Sequence, residues 1–293
     1  MKIGVAGIGK MGAAIAARLI EVGHDVAAWN RTLEKAKAVT GASATATPAE
    51  LAQRSEAIIT MLTDDAALDA VYNGPSGLLS AEVGGKLFID MSTVLPATET
   101  ALADAVHAKG ASYVECPVGG STGPARQGKL LGLMGADDAD AARARPILEQ
   151  LCRRIDHAGP VGSGALLKFA VNLPLMVYWQ SLGEALAFAS GTSLDPERLI
   201  DLLNETSGAT NALKVRGPVV AAMLKGGDAG PVTFNVDGGI KDMRAMLTEA
   251  RNRGIELPLV ERALACYEEC KRHRSGAEEI SAVSVYWADR GKR

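Results

Sequence analysis

The sequence predicts an α/β protein: an N-terminal Rossmann-type parallel sheet domain followed by an all-α C-terminal domain. Three observations carry this. Short β-branched runs alternate with alanine-rich helical stretches through the first 159 residues. A glycine turn, "GIGKMG" (Gly7–Gly12), joins the first strand and helix directly. Beyond "GPVGSG" (Gly159–Gly164) the alternation gives way to long apolar-periodic segments, and almost nothing reads as strand.

The strands expected in order are "KIGVAG", "DVAAWN", "EAIITML", "KLFIDMS" and "SYVECPV", with further ones at "LLGLMG" and "RIDHAG". Helices are expected between them at Met11–Val22, Thr32–Val39, Pro48–Arg54, Ala97–Lys109 and Asp137–Gln150. The second half reads as helices over 165–190, 195–204, 208–225, 237–253 and 257–290. Pro174 falls inside the first of these, where it removes a backbone donor and should kink the helix. The change of rhythm places the seam near residue 163, giving domains 1–163 and 164–293.

Composition narrows the class. With 47% hydrophobic and 22% charged residues the chain is an ordinary globular protein. Its net charge is −3 and no basic block appears, which argues against a nucleic-acid partner. The longest uncharged apolar run, Phe169–Gly183, is shorter than the ~20 residues that span a bilayer. No membrane partner is expected. Cys116, Cys152, Cys266 and Cys270 fall in no metal-ligand pattern, so no metal is assigned and they read as thiols. Free thiols without a secretory signal point to the cytoplasm.

A G-x-G-x-x-G spacing alone could be a plain strand–helix turn. Here an apolar strand precedes it and a helix follows without interruption. In that setting Gly7 permits the tight turn, Gly9 lets a pyrophosphate approach the backbone, and Gly12 lets helix and strand pack closely. The helix start adds N–H donors and a positive dipole end. Ile8, Lys10 and Met11 complete the expected dinucleotide contact. An NAD site carries Asp or Glu at the end of the second strand, but this strand ends in Asn30, Arg31 and Thr32. Arg31 can pair bidentately with a 2′-phosphate, and Asn30 and Thr32 can donate to it. The expected cofactor is therefore NADP, with NADPH preferred over NADH.

At the seam, "GSGALLKFAVN" holds Lys168 and Asn172 four residues apart, on one helical face. Apolar residues flank Lys168. Facing inward, it would be partly desolvated, which lowers a lysine pKa and suits proton transfer in both directions. The alternative is a lysine that snorkels out of a buried helix.

Taken together, these segments resemble the β-hydroxyacid dehydrogenase family over essentially the whole length. "GIGKMG" is similar to its cofactor loop and "DMST" (Asp90–Thr93) to the loop beside the nicotinamide ribose. "CPVGGSTGPARQGKL" (Cys116–Leu130) is similar to its substrate segment, "GSGALLKFAVN" to its catalytic helix start, and "GGIKDM" (Gly238–Met243) to its C-terminal Lys-Asp motif. The resemblance implies Lys168 as catalytic acid/base and Asn172 as its substrate-orienting neighbour. It implies that Met61, Leu62 and Thr93 line the cofactor, with Lys241 near the nicotinamide end, and that Asp242 anchors its helix. It further implies a small carboxylate substrate held by Gly119, Gly120, Ser121 and Thr122 with Lys168 and Asn172, and a homodimer or homotetramer formed through the helical half.

Two departures bear on the substrate. The family reads Ser-Gly-Gly after Pro-Val, whereas this chain has Gly119-Gly120-Ser121, so the serine position is glycine. Val171 replaces a common asparagine, and Pro174 is unusual there. The expected activity is hydride transfer between a nicotinamide and a small β-hydroxy acid or its semialdehyde or keto-acid partner. The alternatives are an imine reductase of the same plan, whose members place Asp or Tyr where Lys168 stands, and a non-catalytic NADP-binding scaffold.

Overall fold

A computed structural model describes residues 1–290. The chain divides into two compact units, Met1–Phe169 and Ala170–Arg293. In the first unit the elements run β1 (Lys2–Ala6), α1 (Lys10–Glu21), β2 (Asp25–Trp29), α2 (Leu33–Lys37), β3 (Ala42–Ala44) and α3 (Pro48–Arg54). They continue with β4 (Ala57–Thr60), α4 (Asp65–Asn73), a tight helical turn at Leu78–Ser80, β5 (Leu87–Asp90), α5 (Pro96–His107) and β6 (Ser112–Glu115). Then come β7 (Val118–Gly119), α6 (Thr122–Arg126), β8 (Leu130–Gly135), α7 (Asp138–Leu151) and β9 (Cys152–Gly159).

Among the described residues these strands form one sheet in the order β3-β2-β1-β4-β5-β6-β8-β7, with β9 on β8. The run β3-β2-β1-β4-β5-β6 is parallel throughout. That is the doubly wound order, with its switch point between β1 and β4. The sheet is parallel-dominated, as expected, and its antiparallel part is confined to β8, which runs against both β6 and β7. The link between β7 and β8 spans only Gly120–Lys129, and a parallel crossover needs a dozen residues or more. The α7 helix supplies such a crossover, and β9 accordingly returns parallel to β8.

Alternate strand residues face opposite layers. Val5, Ile59, Ile89 and Val114 pack with Ile15 and Leu19 of α1 and with Ala144 and Leu148 of α7. Ile58, Phe88 and Tyr113 pack with Leu51 of α3, Leu68 of α4 and Val106 of α5. Two elements lacked a periodic signal. The strand β3 is "ASA", which pairs because the edge of β2 offers it partners from Val26 to Ala28. The helix α4 opens on Asp64, whose carboxylate accepts from Ala67 N, a cap that "DDAALDA" announces. The helix expected over Thr32–Val39 is shorter, ending at Lys37.

The helix α8 (Ser163–Ala189) starts in the first unit and continues unbroken through Pro174 into the second. The second unit adds α9 (Pro196–Asn204), α10 (Asn211–Leu224), α11 (Val236–Arg253), α12 (Pro258–His273) and α13 (Ala282–Arg290). Its core takes Met176, Trp179, Leu182 and Leu186 from α8, Ile240, Met243 and Leu247 from α11, and Val260, Ala263 and Tyr267 from α12. These recur at spacings of three and four, the apolar stripe of a packed helix. Where one helix was expected over 257–290 there are two. The intervening residues give their backbone to the start of α11 and the chain just before it: Asp237 N donates to Gly276 O, Val236 N to Glu278 O and Ile280 N to Phe234 O. Such groups cannot also serve a helix ladder. All four cysteines are buried and carry no disulfide. No helix among the described residues is long and apolar enough to cross a membrane.

Candidate active site

The glycine turn is built by close approach. Gly7 has φ +102°, and a side chain there would meet Met61 O at 2.3 Å and Leu62 Cδ2 at 2.8 Å. A Cβ on Gly12 would lie 1.9 Å from Gly7 O. Gly9 differs: a Cβ there would meet nothing within 4 Å. Gly9 is also the N-cap of α1, with no side-chain cap and no acid in the first turn. A helix start with open space at its cap residue and no carboxylate in its first turn fits a pyrophosphate.

At the end of β2, Asn30 is engaged at both ends of its amide. Its Oδ1 accepts from Ile8 N at 3.0 Å and its Nδ2 donates to Thr32 O at 3.1 Å. Asn30, expected as a donor to a ligand phosphate, also ties the glycine turn to the next loop through these two bonds. Arg31 and Thr32 are exposed beside it. Next along the sheet edge, Leu62 N donates to Ser92 Oγ at 2.9 Å, which joins the loops after β4 and β5. Gly7–Gly12, Asn30–Thr32, Met61–Leu62 and Thr93 thus follow the carboxyl ends of neighbouring strands, where ligands of such sheets bind.

Those strand ends carry a buried polar row. Thr60, Asp90 and Glu115 are register partners on β4, β5 and β6, and all three are fully buried. Thr60 Oγ1 bonds Asp90 Oδ2 and meets Tyr72 OH at 3.1 Å. Asp90 also accepts from Ser92 N at 2.8 Å and Ser92 Oγ at 3.0 Å. Above the row, Glu99 Oε2 accepts from Tyr113 OH at 2.6 Å. Burial, then the neighbouring charges of Asp90 and Glu115, push Glu99 well above the usual carboxylate range. Burial likewise raises Asp90, and it lifts Glu115 to about 7. The phenols of Tyr72 and Tyr113 are pushed up by burial, so both stay protonated donors.

Lys168 lies on α8 and is 9% exposed, which sets aside the snorkelling alternative. Its Nζ donates to Val118 O at 2.8 Å. Val118 opens the "VGGST" stretch assigned to substrate. Within it Gly120 has φ +120°, which only glycine adopts readily. A Cβ at Gly119 would meet Leu131 at 3.5 Å, ordinary contact distance, so the glycine there is not a packing requirement. Ser121 caps α6 without a side-chain bond to it.

In the second unit, Asn172 Nδ2 donates to Asp242 Oδ2 at 3.0 Å, and Lys241 Nζ pairs with Asp242 Oδ1 at 2.7 Å. Asn172 and Asp242 are buried, and Lys241 is partly exposed. Asp242 therefore does more than anchor its helix, since it holds both neighbours. Of the polar row of Thr60, Asp90 and Glu115, with Glu99 above it, the sequence reading named only Asp90, as the start of "DMST". A carboxylate ending an apolar strand ("LFID", "SYVE") was the available signal.

This geometry agrees with what the chain matches. Residues 2–159 match the NAD binding domain of 6-phosphogluconate dehydrogenase, and residues 162–287 match the NAD-binding domain of NADP-dependent 3-hydroxyisobutyrate dehydrogenase. A 2-(hydroxymethyl)glutarate dehydrogenase of Eubacterium barkeri is 32% identical over 289 residues, covering 98% of this chain and 95% of its own. Glyoxylate/succinic semialdehyde reductase 1 of Arabidopsis thaliana is 32% identical, covering 97% of each. Among solved structures, Mycobacterium tuberculosis 3-hydroxyisobutyrate dehydrogenase with L-serine superposes with a TM-score of 0.82 at 25% identity, covering 97% of each chain. The chain belongs to the β-hydroxyacid dehydrogenase family, whose members are NAD(P)-dependent oxidoreductases acting on CH–OH groups.

Proposed function

We propose that this protein is an NADP-dependent oxidoreductase that interconverts a small β-hydroxy acid with its semialdehyde or keto-acid partner, with Lys168 as general acid/base. The observation that carries the reading is the buried Lys168 ammonium, 2.8 Å from Val118 O in the glycine-rich segment. When bound, the nicotinamide gives or takes the hydride at the substrate carbon. Lys168 Nζ donates a proton to the substrate oxygen in reduction and accepts the hydroxyl proton in oxidation. Its flexible stem lets a substrate oxygen replace the Val118 carbonyl as acceptor. Asn172 orients substrate, and because its NH₂ end is held by Asp242 its carbonyl end points away from that carboxylate.

The similar proteins are named for small carboxylic acids and aldehydes: 2-(hydroxymethyl)glutarate, glyoxylate, succinic semialdehyde and 3-hydroxyisobutyrate. A carboxylate in this chain rests on the backbone of Gly119 and Gly120 and the hydroxyls of Ser121 and Thr122. Arg31 selects NADP, and Lys241 serves its nicotinamide end. The exposed apolar side chains of the second unit, among them Phe188, Val215 and Leu259, support a homodimer or homotetramer formed there.

The test is turnover of a panel of small aldehyde and keto acids, followed by NADPH absorbance. Lys168→Met should lower kcat by ~10²–10⁴ while leaving cofactor affinity near its original value. Normal turnover in that variant would refute the assignment. Arg31→Ala should weaken NADPH by ~1.5–3 kcal/mol and hardly change NADH. Equal affinity of the unmodified protein for the two cofactors would refute the NADP preference.

A further inference from the structure

We infer that Glu115 is the positioning residue of the catalytic lysine, gripping the first turn of α8 and thereby holding Lys168 against the Val118 carbonyl. This rests on Lys168 as the acid/base. Glu115 Oε1 accepts from Gly162 N at 2.6 Å and Gly164 N at 2.7 Å, and Oε2 accepts from Ala165 N at 3.3 Å. These amides open α8, which carries Lys168 one turn further on. The same residue leads through Cys116 and Pro117 to Val118, whose carbonyl receives Lys168 Nζ. One strand end thus fixes both the start of the lysine's helix and the lysine's acceptor.

The pocket around the carboxylate is shaped for it. A Cβ on Gly135 would lie 2.1 Å from Glu115 Oε1. A Cβ on Gly164 would lie 2.4 Å from Leu133 O and 3.2 Å from Oε1. Three N–H donors converging on two oxygens call for an ionised carboxylate, because a protonated acid or an amide would turn a donor toward them. The titratable groups around Glu115 are Asp90 on β5 and Glu99 on α5, the Tyr72 and Tyr113 phenols behind them, and the Cys116 thiol beside it. Burial lifts Glu115 to about 7 against the pull of the three amides, so the grip loosens as pH falls below neutrality.

The experiment measures kcat and KM of the full-length enzyme in the reducing direction from about pH 5 to about pH 9, with amide hydrogen exchange of Gly162, Gly164 and Ala165. The expected wild-type profile has an acid limb from Glu115 and an alkaline limb from Lys168. Glu115→Gln should lower kcat by ~10–100-fold, the scale of a small displacement of a reacting group. It should flatten the acid limb alone and leave the KM for NADPH within about twofold. Exchange at the three amides should speed up in this variant, and in the wild type below neutral pH. If Glu115→Gln does not fold, Glu115→Asp keeps the charge with a shorter reach; it should retain an acid limb at reduced kcat, and wild-type kinetics and protection in it would overturn the proposal. Unchanged kcat, acid limb and protection in Glu115→Gln would overturn the positioning role alone, provided Lys168→Met is crippled. Normal turnover in Lys168→Met would overturn the acid/base reading and the positioning role with it.

Discussion

The two faces of the first unit's sheet are built on different physics. The face under α1 and α7 is apolar throughout, closed by Ile15, Leu19, Ala144 and Leu148 over Val5, Ile59, Ile89 and Val114. The face under α3, α4 and α5 buries comparable side chains but also encloses Thr60, Asp90 and Glu115 from the strands, Glu99 from α5, and the hydroxyls of Tyr72 and Tyr113. One face gains stability from area removed from water, which pH does not alter. The other holds carboxyl groups whose burial disfavours their charged forms, so its stability follows pH. The polar face is also the one that grips the start of α8.

The largest effect is expected on the apolar face, at its closest backbone approach. Gly12→Ala places a Cβ 1.9 Å from Gly7 O, a backbone atom held in the turn. Either α1 moves off β1 or the turn opens. The cost should be ~3 kcal/mol or more by chemical denaturation, the same at every pH, with dinucleotide binding lost. A variant that folds normally and binds NADPH would show that the turn is not the rigid seat described.

Glu99→Gln sharpens the contrast from the polar side. Glu99 is raised well above the unfolded carboxylate value, so the folded protein keeps a proton that the unfolded chain releases. The associated stability is fully present below the unfolded pKa and is lost as pH rises toward the folded one. Wild-type stability should therefore fall by about 1.4 kcal/mol per pH unit from about pH 5 upward for each proton retained. The proton belongs to the coupled Asp90–Glu99 pair, and Gln supplies a permanent equivalent of it. The variant should match wild type near pH 5 and exceed it progressively toward pH 8. Parallel stability curves would mean that the cluster does not hold the proton.

The two faces also differ in how much of them a sequence displays. The apolar face follows from periodicity: alternating strand residues and helix stripes are local signals, and the glycine turn joins them. Lys168, Asn172, Lys241 and the glycine-rich segment could be singled out because motifs carry them. Asp90 stands in such a motif too, but the cluster of buried acids could not be read, because Asp90, Glu99 and Glu115 meet only when β5, α5 and β6 are laid side by side. Asn30 shows the same limit within a motif, since its amide bonds to Ile8 and Thr32 depend on the turn's final shape. The break between α12 and α13 was hidden likewise, its cause being a pairing with residues 234–237.

The smallest effect isolates a single bond in the polar layer. Tyr113 OH donates to Glu99 Oε2 at 2.6 Å. Tyr113→Phe keeps the ring against Tyr72, whose centroid lies 6.3 Å away, and removes the donor alone. A buried acceptor left unsatisfied costs ~1–3 kcal/mol, and the protonated state of Glu99 should hold the loss toward the lower end. The phenol also stays neutral across the accessible range, because burial raises its pKa. The loss should therefore be nearly constant with pH, unlike that of its partner. In a double-mutant cycle with Glu99→Gln the coupling should stay below ~0.5 kcal/mol, because the amide oxygen can still accept from the phenol and Tyr113→Phe then costs much the same in both backgrounds. A coupling well above that would mean that the amide does not take over the carboxyl's place as acceptor, and no loss at all in Tyr113→Phe would leave packing alone to explain why both groups lie in the core.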